Sequence, residues 1–221
     1  MTRHIPNLLT LGNLVTGCIG IVCAFERPEI APIWFVAIAC TFDFLDGFAA
    51  RLLKVSSPMG KELDSLADVV SFGVYPSVIV FKALQQSHAN DWMWAAFALA
   101  AFAALRLARF NTDDRQTEAF IGLPTPAMAM FIAPLPAVVG TAIEEPYRMW
   151  TLLAAVSLMS AVMVAPLPLT ALKFKTFSWS GNQVRYGILA GSAALLLWLG
   201  SAGLPAVILL YLSSTFFASK H

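Results

Sequence analysis

Charge is what this sequence has least of. Only 12% of its 221 residues are charged, whereas 58% are hydrophobic. Because soluble globular domains carry about 25% charged residues, this composition excludes an ordinary soluble domain. Long apolar runs separated by short polar loops instead predict an all-α, polytopic transmembrane helical bundle that forms a single domain over residues 1–221.

A basic excess and a cysteine framework are lacking as well. The net charge of +1 leaves no basic patch or tail of the kind that nucleic-acid-binding proteins carry, so no nucleic-acid partner is expected. Cys18, Cys23 and Cys40 lie in apolar runs without a CxxC pair, which favours buried reduced thiols over disulfides or metal ligands. The first apolar run has no small-residue cleavage pattern, so we expect a retained first helix rather than a signal peptide.

Eight apolar runs predict eight spans, six of them between about residues 8 and 167. The last two runs, Tyr186–Leu199 and Leu204–Phe217, are each shorter than the roughly 20 residues of a full crossing, so two spans and one long interrupted helix both remain open.

The distribution of Lys and Arg predicts the orientation of these spans. With the N-terminus inside, eleven of the 14 basic residues fall on one side, and only Arg27, Lys82 and Arg148 fall on the other. Because Lys and Arg collect in cytoplasmic loops, the side with eleven basic residues is expected to face the cytoplasm. We expect an integral protein of the cell (inner) membrane. Loops 54–61 and 112–118 are then cytoplasmic, and loop 87–91 is external.

Four carboxylates are concentrated in one short stretch of this apolar chain. They are Asp43, Asp46, Asp64 and Asp68. The first pair is spaced i, i+3 and the second i, i+4, so each pair shares one helix face. Ionised carboxylates inside a membrane are costly and usually functional. If the two faces meet, the charges require a cation, shared protons or both, and a divalent metal held by oxygen ligands is the leading candidate.

Residues around the acids suit a phosphate-containing ligand. Arg51 can hold a phosphate through a bidentate fork, and Gly47 and Gly60 allow a ligand to approach the backbone closely. A spare carboxylate can act as general base, and divalent metal ions stabilise displacement at phosphorus. Glycines of the first span, such as Gly17, predict helix packing instead.

Two other classes of protein are weighed against this chemistry. A cation transporter also holds intramembrane acids, but typically near the midplane in paired, broken helices, whereas these acids lie toward one face beside a basic boundary. Phosphatidyltransferases that use a histidine nucleophile are disfavoured because the sequence contains no HxKxxxxD motif.

The full pattern of the acidic stretch resembles a known family signature. It reads Asp43-x2-Asp46-Gly47-x2-Ala50-Arg51-x8-Gly60-x3-Asp64-x3-Asp68 and is similar to the motif of the CDP-alcohol phosphotransferases at every defined position. The resemblance implies a core of six transmembrane helices, about residues 5–170, in a protein that is commonly a homodimer. One or two further spans at about residues 184–218 then form a C-terminal extension.

The same resemblance implies roles for the motif residues. The four aspartates would bind Mg2+ or Mn2+, as two ions, and Asp68 would also be the catalytic base. The residues implied to contact the CDP moiety are Gly47, Ala50, Arg51 and Gly60.

Four further stretches are similar to the membrane-bound phosphatidylserine synthases of this family. They are Ile5–Asn13, Lys61–Val74, Arg106–Asn111 and Gly122–Ala127. The implied reaction transfers a phosphatidyl group from CDP-diacylglycerol to L-serine within the lipid membrane, giving phosphatidylserine and CMP. Another acceptor, such as glycerol 3-phosphate or inositol phosphate, is the nearest alternative.

A zwitterionic acceptor needs a cationic contact for its carboxylate. Arg106, Arg109 and Asn111 are the candidates, although arginines at span ends also anchor helices among lipid headgroups. Ser65 and Ser71 are further candidates, although serine in a membrane helix often bonds its own backbone.

Overall fold

The computed structural model describes residues 4–55, 57–87, 90–112, 122–167 and 182–218. These residues form helices and connecting turns without a β-strand, as the sequence predicts. The helices are α1 (Ile5–Glu26), α2 (Ile33–Leu53), α3 (Pro58–Asp68), α4 (Tyr75–Gln86), α5 (Ala98–Thr112), α6 (Thr125–Ile132), α7 (Leu135–Ala142), α8 (Tyr147–Val164), α9 (Gln183–Leu199) and α10 (Leu204–Ala218). A π-helical segment, Val69–Val74, joins α3 to α4, and 3-10 segments precede α5 and α10.

Seven segments of the described chain are long and apolar enough to cross a membrane. They are Ile5–Glu26, Ile33–Leu53, Pro58–Gln86, Asp91–Thr112, Thr125–Ala142, Tyr147–Val164 and Arg185–Ser213. This confirms a polytopic helical bundle. The count is one lower than the predicted eight because the last segment contains both of the short C-terminal runs.

The C-terminal segment folds back on itself as a hairpin. A Cβ placed on Gly191 of α9 would lie 3.0 Å from Leu210 Cδ2 of α10, whereas residues 19 apart in one straight helix would be separated by about 28 Å. The two C-terminal runs therefore form separate, adjacent helices rather than one extended helix.

The connection between α2 and α3 brings two helix ends to the same end of the bundle. Lys54 ends α2 in a left-handed conformation with φ of 51°. Ser57 begins α3 as its cap, because its Oγ accepts a hydrogen bond of 3.0 Å from the Gly60 backbone N–H, and Pro58 follows at the first helical position. A serine cap followed by proline is the start that the sequence predicts. Ser56 lies outside the described residues.

Helix α1 packs tightly against the helices that carry the acids. A Cβ on Gly17 would lie 2.8 Å from Ser71 Cα in the π-helical segment, and one on Gly12 would lie 2.8 Å from the Phe42 ring of α2. At Gly17 the obstacle is backbone, whereas at Gly12 the Phe42 ring would have to move, and both close approaches agree with the packing role predicted for the glycines of the first span. Helix α1 is thereby fixed between α2 and α3.

Candidate active site

The acidic faces of α2 and α3 meet inside the bundle. Asp43, Asp64 and Asp68 each offer a carboxylate oxygen, and these oxygens all lie within 4.8 Å of one another. The i, i+4 spacing of Asp64 and Asp68 places both side chains on the face of α3 that looks toward α2. Three negative groups thus share one small volume, in which a cation is needed if all three are ionised.

Asp46, the fourth acid of the motif, is held by α1. Its side chain is 7% exposed, and its Oδ2 accepts a hydrogen bond of 2.6 Å from Thr10 Oγ1. The same hydroxyl also lies 3.1 Å from the Pro6 carbonyl oxygen of its own helix. Asp46 therefore stands beside the group of three acids with one of its oxygens already in a hydrogen bond.

Asp68 is held from α1 in a similar way. It is 7% exposed, and Asn13 Nδ2 donates to its Oδ1 at 3.1 Å. The Asn13 backbone carbonyl in turn accepts a hydrogen bond of 2.8 Å from Ser71 Oγ. Ser71, a predicted acceptor-binding residue, is fully buried, and its hydroxyl donates to this contact between helices.

The functional assignments made from sequence do not include Thr10 and Asn13. A usable signal is present, because Asn7, Thr10 and Asn13, followed by Thr16, recur every third residue in a largely apolar helix. Polar side chains spaced in this way lie close together on one helix face, and in a membrane helix such a face points to the bundle interior.

A cavity of about 830 Å³ opens beside the acids. Its lining residues are His4, Pro6, Asn7, Thr10, Asp46, Gly47, Ala50, Arg51, Lys54, Val55, Ser57, Met59, Gly60, Lys61 and Asp64. The volume lies within the range of about 300–1,000 Å³ that is typical of small-molecule sites. All four residues predicted to contact CDP line this cavity, together with two of the acids.

The cavity combines positive and negative groups. Arg51, Lys54 and Lys61 contribute cationic side chains to its wall, and Asp46 and Asp64 contribute carboxylates. Cationic side chains attract an anionic ligand. The carboxylates repel such a ligand unless a metal ion lies between them and it. The arrangement suits a phosphate-containing ligand bound with a divalent cation.

Two predicted acceptor residues, Ser65 and Asn111, contact each other. Asn111 Nδ2 donates to Ser65 Oγ at 2.9 Å, and Lys61 Nζ donates to the Asn111 carbonyl oxygen at 3.1 Å. This contact joins the end of α5 to α3 beside the cavity. No functional role is predicted from sequence for Lys61, which lines the cavity and hydrogen-bonds to the last turn of α5.

The two predicted arginines have different surroundings. Arg106 is 8% exposed, lies 5.9 Å from the centre of the Phe110 ring and interacts electrostatically with Asp68. Its Nε has no hydrogen-bond partner among the residues that the structure describes. Arg109 is exposed. Of these two arginines, Arg106 is therefore the one that offers a buried cation near the acids.

The donor groups of the acidic cluster fit a divalent metal ion. Mg2+ and similar hard cations take oxygen ligands, and three carboxylates converge here. In addition, Asp64 Oδ1 is buried and has no hydrogen-bond partner within the described ranges. A buried carboxylate oxygen without a donor needs a partner, and a cation would supply one.

Comparison with known proteins shows which family the sequence is similar to. The family model for CDP-alcohol phosphatidyltransferase matches residues 3–171. A CDP-diacylglycerol–serine O-phosphatidyltransferase of Helicobacter pylori strain J99 is 38% identical over 129 residues, which cover 58% of this chain and 54% of that protein. The Bacillus subtilis strain 168 protein of the same name is 34% identical over 58% of this chain and 72% of its own length.

A third similar protein comes from Saccharomyces cerevisiae. It bears the same name and is 44% identical over 139 residues, which cover 56% of this chain and 50% of that protein. The chain thus spans about half the length of the Helicobacter pylori and Saccharomyces cerevisiae relatives that it matches.

Proposed function

This chain belongs to the CDP-alcohol phosphatidyltransferase family, and on that premise we propose that it transfers a phosphatidyl group from CDP-diacylglycerol to L-serine, giving phosphatidylserine and CMP. The observation that carries the proposal is that the cavity extends to the acidic residues. Asp46 and Asp64 line the same cavity as Gly47, Ala50, Arg51 and Gly60. A nucleotide held there has its phosphates beside the carboxylate cluster.

The cationic wall of the cavity receives the pyrophosphate. The guanidinium of Arg51 lies over Gly47, where a Cβ would be 3.5 Å from Nη1, so it can donate to phosphate oxygens along the backbone of α2. Lys54 and Lys61 add point charges at the same wall. The acyl chains of the substrate remain in the surrounding lipid.

The four aspartates would hold the divalent ions, which we assign from the family resemblance as two ions of Mg2+ or Mn2+. When bound, such ions neutralise phosphate oxygens and stabilise the charge that develops during displacement at phosphorus. Among the described residues, the unpartnered Asp64 Oδ1 and the convergence of Asp43, Asp64 and Asp68 support a cation at this position.

Asp68 acts as the general base. Asn13 donates to Asp68 Oδ1, which keeps a second lone pair for a metal ion, and the other carboxylate oxygen takes the proton of the serine hydroxyl. The hydroxyl oxygen then forms a bond to the phosphorus that carries the diacylglycerol ester. The bond from that phosphorus to the bridging oxygen breaks, and the electron pair departs with CMP.

Arg106 is the proposed contact for the serine carboxylate. Its buried position and an Nε without a partner in the described part of the chain favour an anionic group that arrives with the substrate. Ser65 and Asn111, which are hydrogen-bonded to each other, are further proposed contacts for the acceptor, while the exposed Arg109 is better suited to lipid headgroups.

A release assay tests the proposed reaction. Purified protein with CDP-diacylglycerol is expected to release CMP only when both L-serine and Mg2+ or Mn2+ are present, and excess chelator should abolish release. An Arg106→Glu variant should lose most of its use of serine, whereas the matched Arg109→Glu variant should retain it. CMP release with glycerol 3-phosphate or inositol phosphate but not with serine would assign a different acceptor. Full activity in excess chelator would contradict the proposed dependence on a metal ion.

The protein is proposed to be a homodimer in the cell (inner) membrane with its active site toward the cytoplasm. The Lys and Arg distribution supports this orientation, and the family resemblance supports the dimer, which light scattering in detergent can check. On a background without native cysteines, a cysteine at Asp91 should react with an impermeant reagent added to intact cells. A cysteine at Asp113, which lies outside the described residues, should not react, and its labelling from outside would reverse the orientation.

A further inference from the structure

Helix α1 makes direct contact with acids on two other helices. Thr10 Oγ1 donates to Asp46 of α2 at 2.6 Å, and Asn13 Nδ2 donates to Asp68 of α3 at 3.1 Å. The two donors are three residues apart and lie on one face of α1. Each one binds an acid that a different helix carries.

Asn13 is a costly residue if its role is only to stabilise the fold. It is fully buried, and its Oδ1 has no hydrogen-bond partner in the described portion of the protein. A buried amide oxygen without a partner destabilises a fold, and an apolar side chain of similar shape avoids that penalty. The use of asparagine at this position is explained by its N–H donor.

We propose that Asn13 is a positioning residue that orients the Asp68 carboxylate for metal binding and for proton transfer. The hydrogen bond from Nδ2 fixes the plane of the carboxylate and selects which oxygen faces the cluster. Groups that hold metal ligands in this way typically change metal affinity or activity by about 10- to 100-fold when they are removed. The part of the inference that concerns proton transfer rests on the proposed function.

The position of Asn13 relative to the cavity separates this role from substrate binding. Asn13 is absent from the residues that line the cavity, whereas Thr10 is among them. Loss of the Asn13 side chain should therefore leave the affinity for CDP-diacylglycerol largely intact. The expected signature is weaker metal binding and, at saturating Mn2+, a lower kcat with a nearly constant KM for the lipid substrate.

The test uses Asn13→Leu, which keeps the branched shape and removes both polar atoms. The matched control is Thr16→Val on the same helix, because Thr16 is also buried but donates only to the Gly12 carbonyl oxygen of α1, at 2.7 Å. Thermal stabilisation of the solubilised protein by CMP is followed as Mn2+ is titrated. For Asn13→Leu, the Mn2+ midpoint should rise by about 10- to 100-fold and kcat should fall by a similar factor.

The outcomes distinguish this inference from the proposed reaction. If the wild type releases no CMP with any alcohol, the proposed reaction fails while the Mn2+ midpoint still tests Asn13. A midpoint for Asn13→Leu that stays near the wild-type value overturns the positioning role. A midpoint shift that Thr16→Val reproduces, or that comes with a melting temperature for the metal-free protein below that of Thr16→Val, overturns it in favour of a purely structural role.

Discussion

Two membrane segments of this protein show opposite relations between hydropathy and burial. In the Pro58–Gln86 segment, the 18-residue stretch that qualifies as a span has a mean hydropathy of 1.5, and 61% of it is buried inside the protein. In the Arg185–Ser213 segment, the corresponding values are 2.1 and 17%. The more apolar segment is thus the less buried one, which reverses the pattern of a soluble protein.

The difference follows from the solvent around the bundle. Lipid chains are as apolar as leucine, so Leu197 and Trp198 of the hairpin can be 90% and 84% exposed without a hydrophobic penalty. Carboxylates and amides cannot face lipid cheaply, so Asp68 and Asn13 are enclosed within the bundle. In this protein, polar content rather than hydropathy identifies the segments that build the site.

Among substitutions that compare the two segments, Asp68→Asn in the Pro58–Gln86 segment should have the largest effect on the CMP release rate. The substitution keeps the size of the side chain but removes its proton acceptor, and a positioned base typically contributes about 100- to 10,000-fold to rate. We expect the CMP release rate with serine to fall by about that factor, while binding of CDP-diacylglycerol, measured by thermal stabilisation, persists.

The matched control for this substitution lies in the hairpin. Ser213→Ala removes a hydroxyl that donates only to the Leu210 carbonyl oxygen within α10 and should leave turnover unchanged. Near wild-type turnover in Asp68→Asn, or a complete loss of CDP binding, would show that Asp68 is not chiefly a base.

The sequence was sufficient to predict those features that depend on local rules. The spacing of Asp64 and Asp68 fixes a shared helix face, and Ser57 followed by Pro58 fixes the start of α3, because both depend on residues within one or two helical turns. The clustering of acids from α2 and α3 also follows, because four charges in an apolar chain have to share one polar interior.

The remainder depends on how distant helices are aligned, which a single sequence does not encode locally. The contact between Asn13 and Asp68 exists because Gly17 lets α1 approach Ser71, and the pairing of Ser65 with Asn111 joins residues 46 positions apart. The hairpin of α9 and α10 was likewise open from sequence, since two short apolar runs are compatible with more than one path. In each case tertiary packing selects among local possibilities.

A pair of glycine substitutions sharpens the contrast between the two segments with a smaller expected effect. A Cβ at Gly17 would lie 2.5 Å from Ser71 Oγ and 2.8 Å from Ser71 Cα, so Gly17→Ala forces α1 away from the π-helical segment. Overpacking of this kind typically costs about 1–3 kcal/mol. The same displacement moves Asn13 relative to Asp68, so both the melting temperature in detergent and the turnover should fall.

At Gly187 in the hairpin, substitution by alanine should have the opposite effect on the melting temperature. A Cβ there meets nothing within 4 Å among the described residues, and alanine in a helix interior is favoured over glycine by about 0.5–1 kcal/mol. We therefore expect Gly187→Ala to leave turnover unchanged and to keep or slightly raise the melting temperature. If Gly187→Ala lowered both quantities as much as Gly17→Ala, the hairpin would be part of the packed core rather than a lipid-facing extension, because only close packing makes a helix sensitive to one added methyl group.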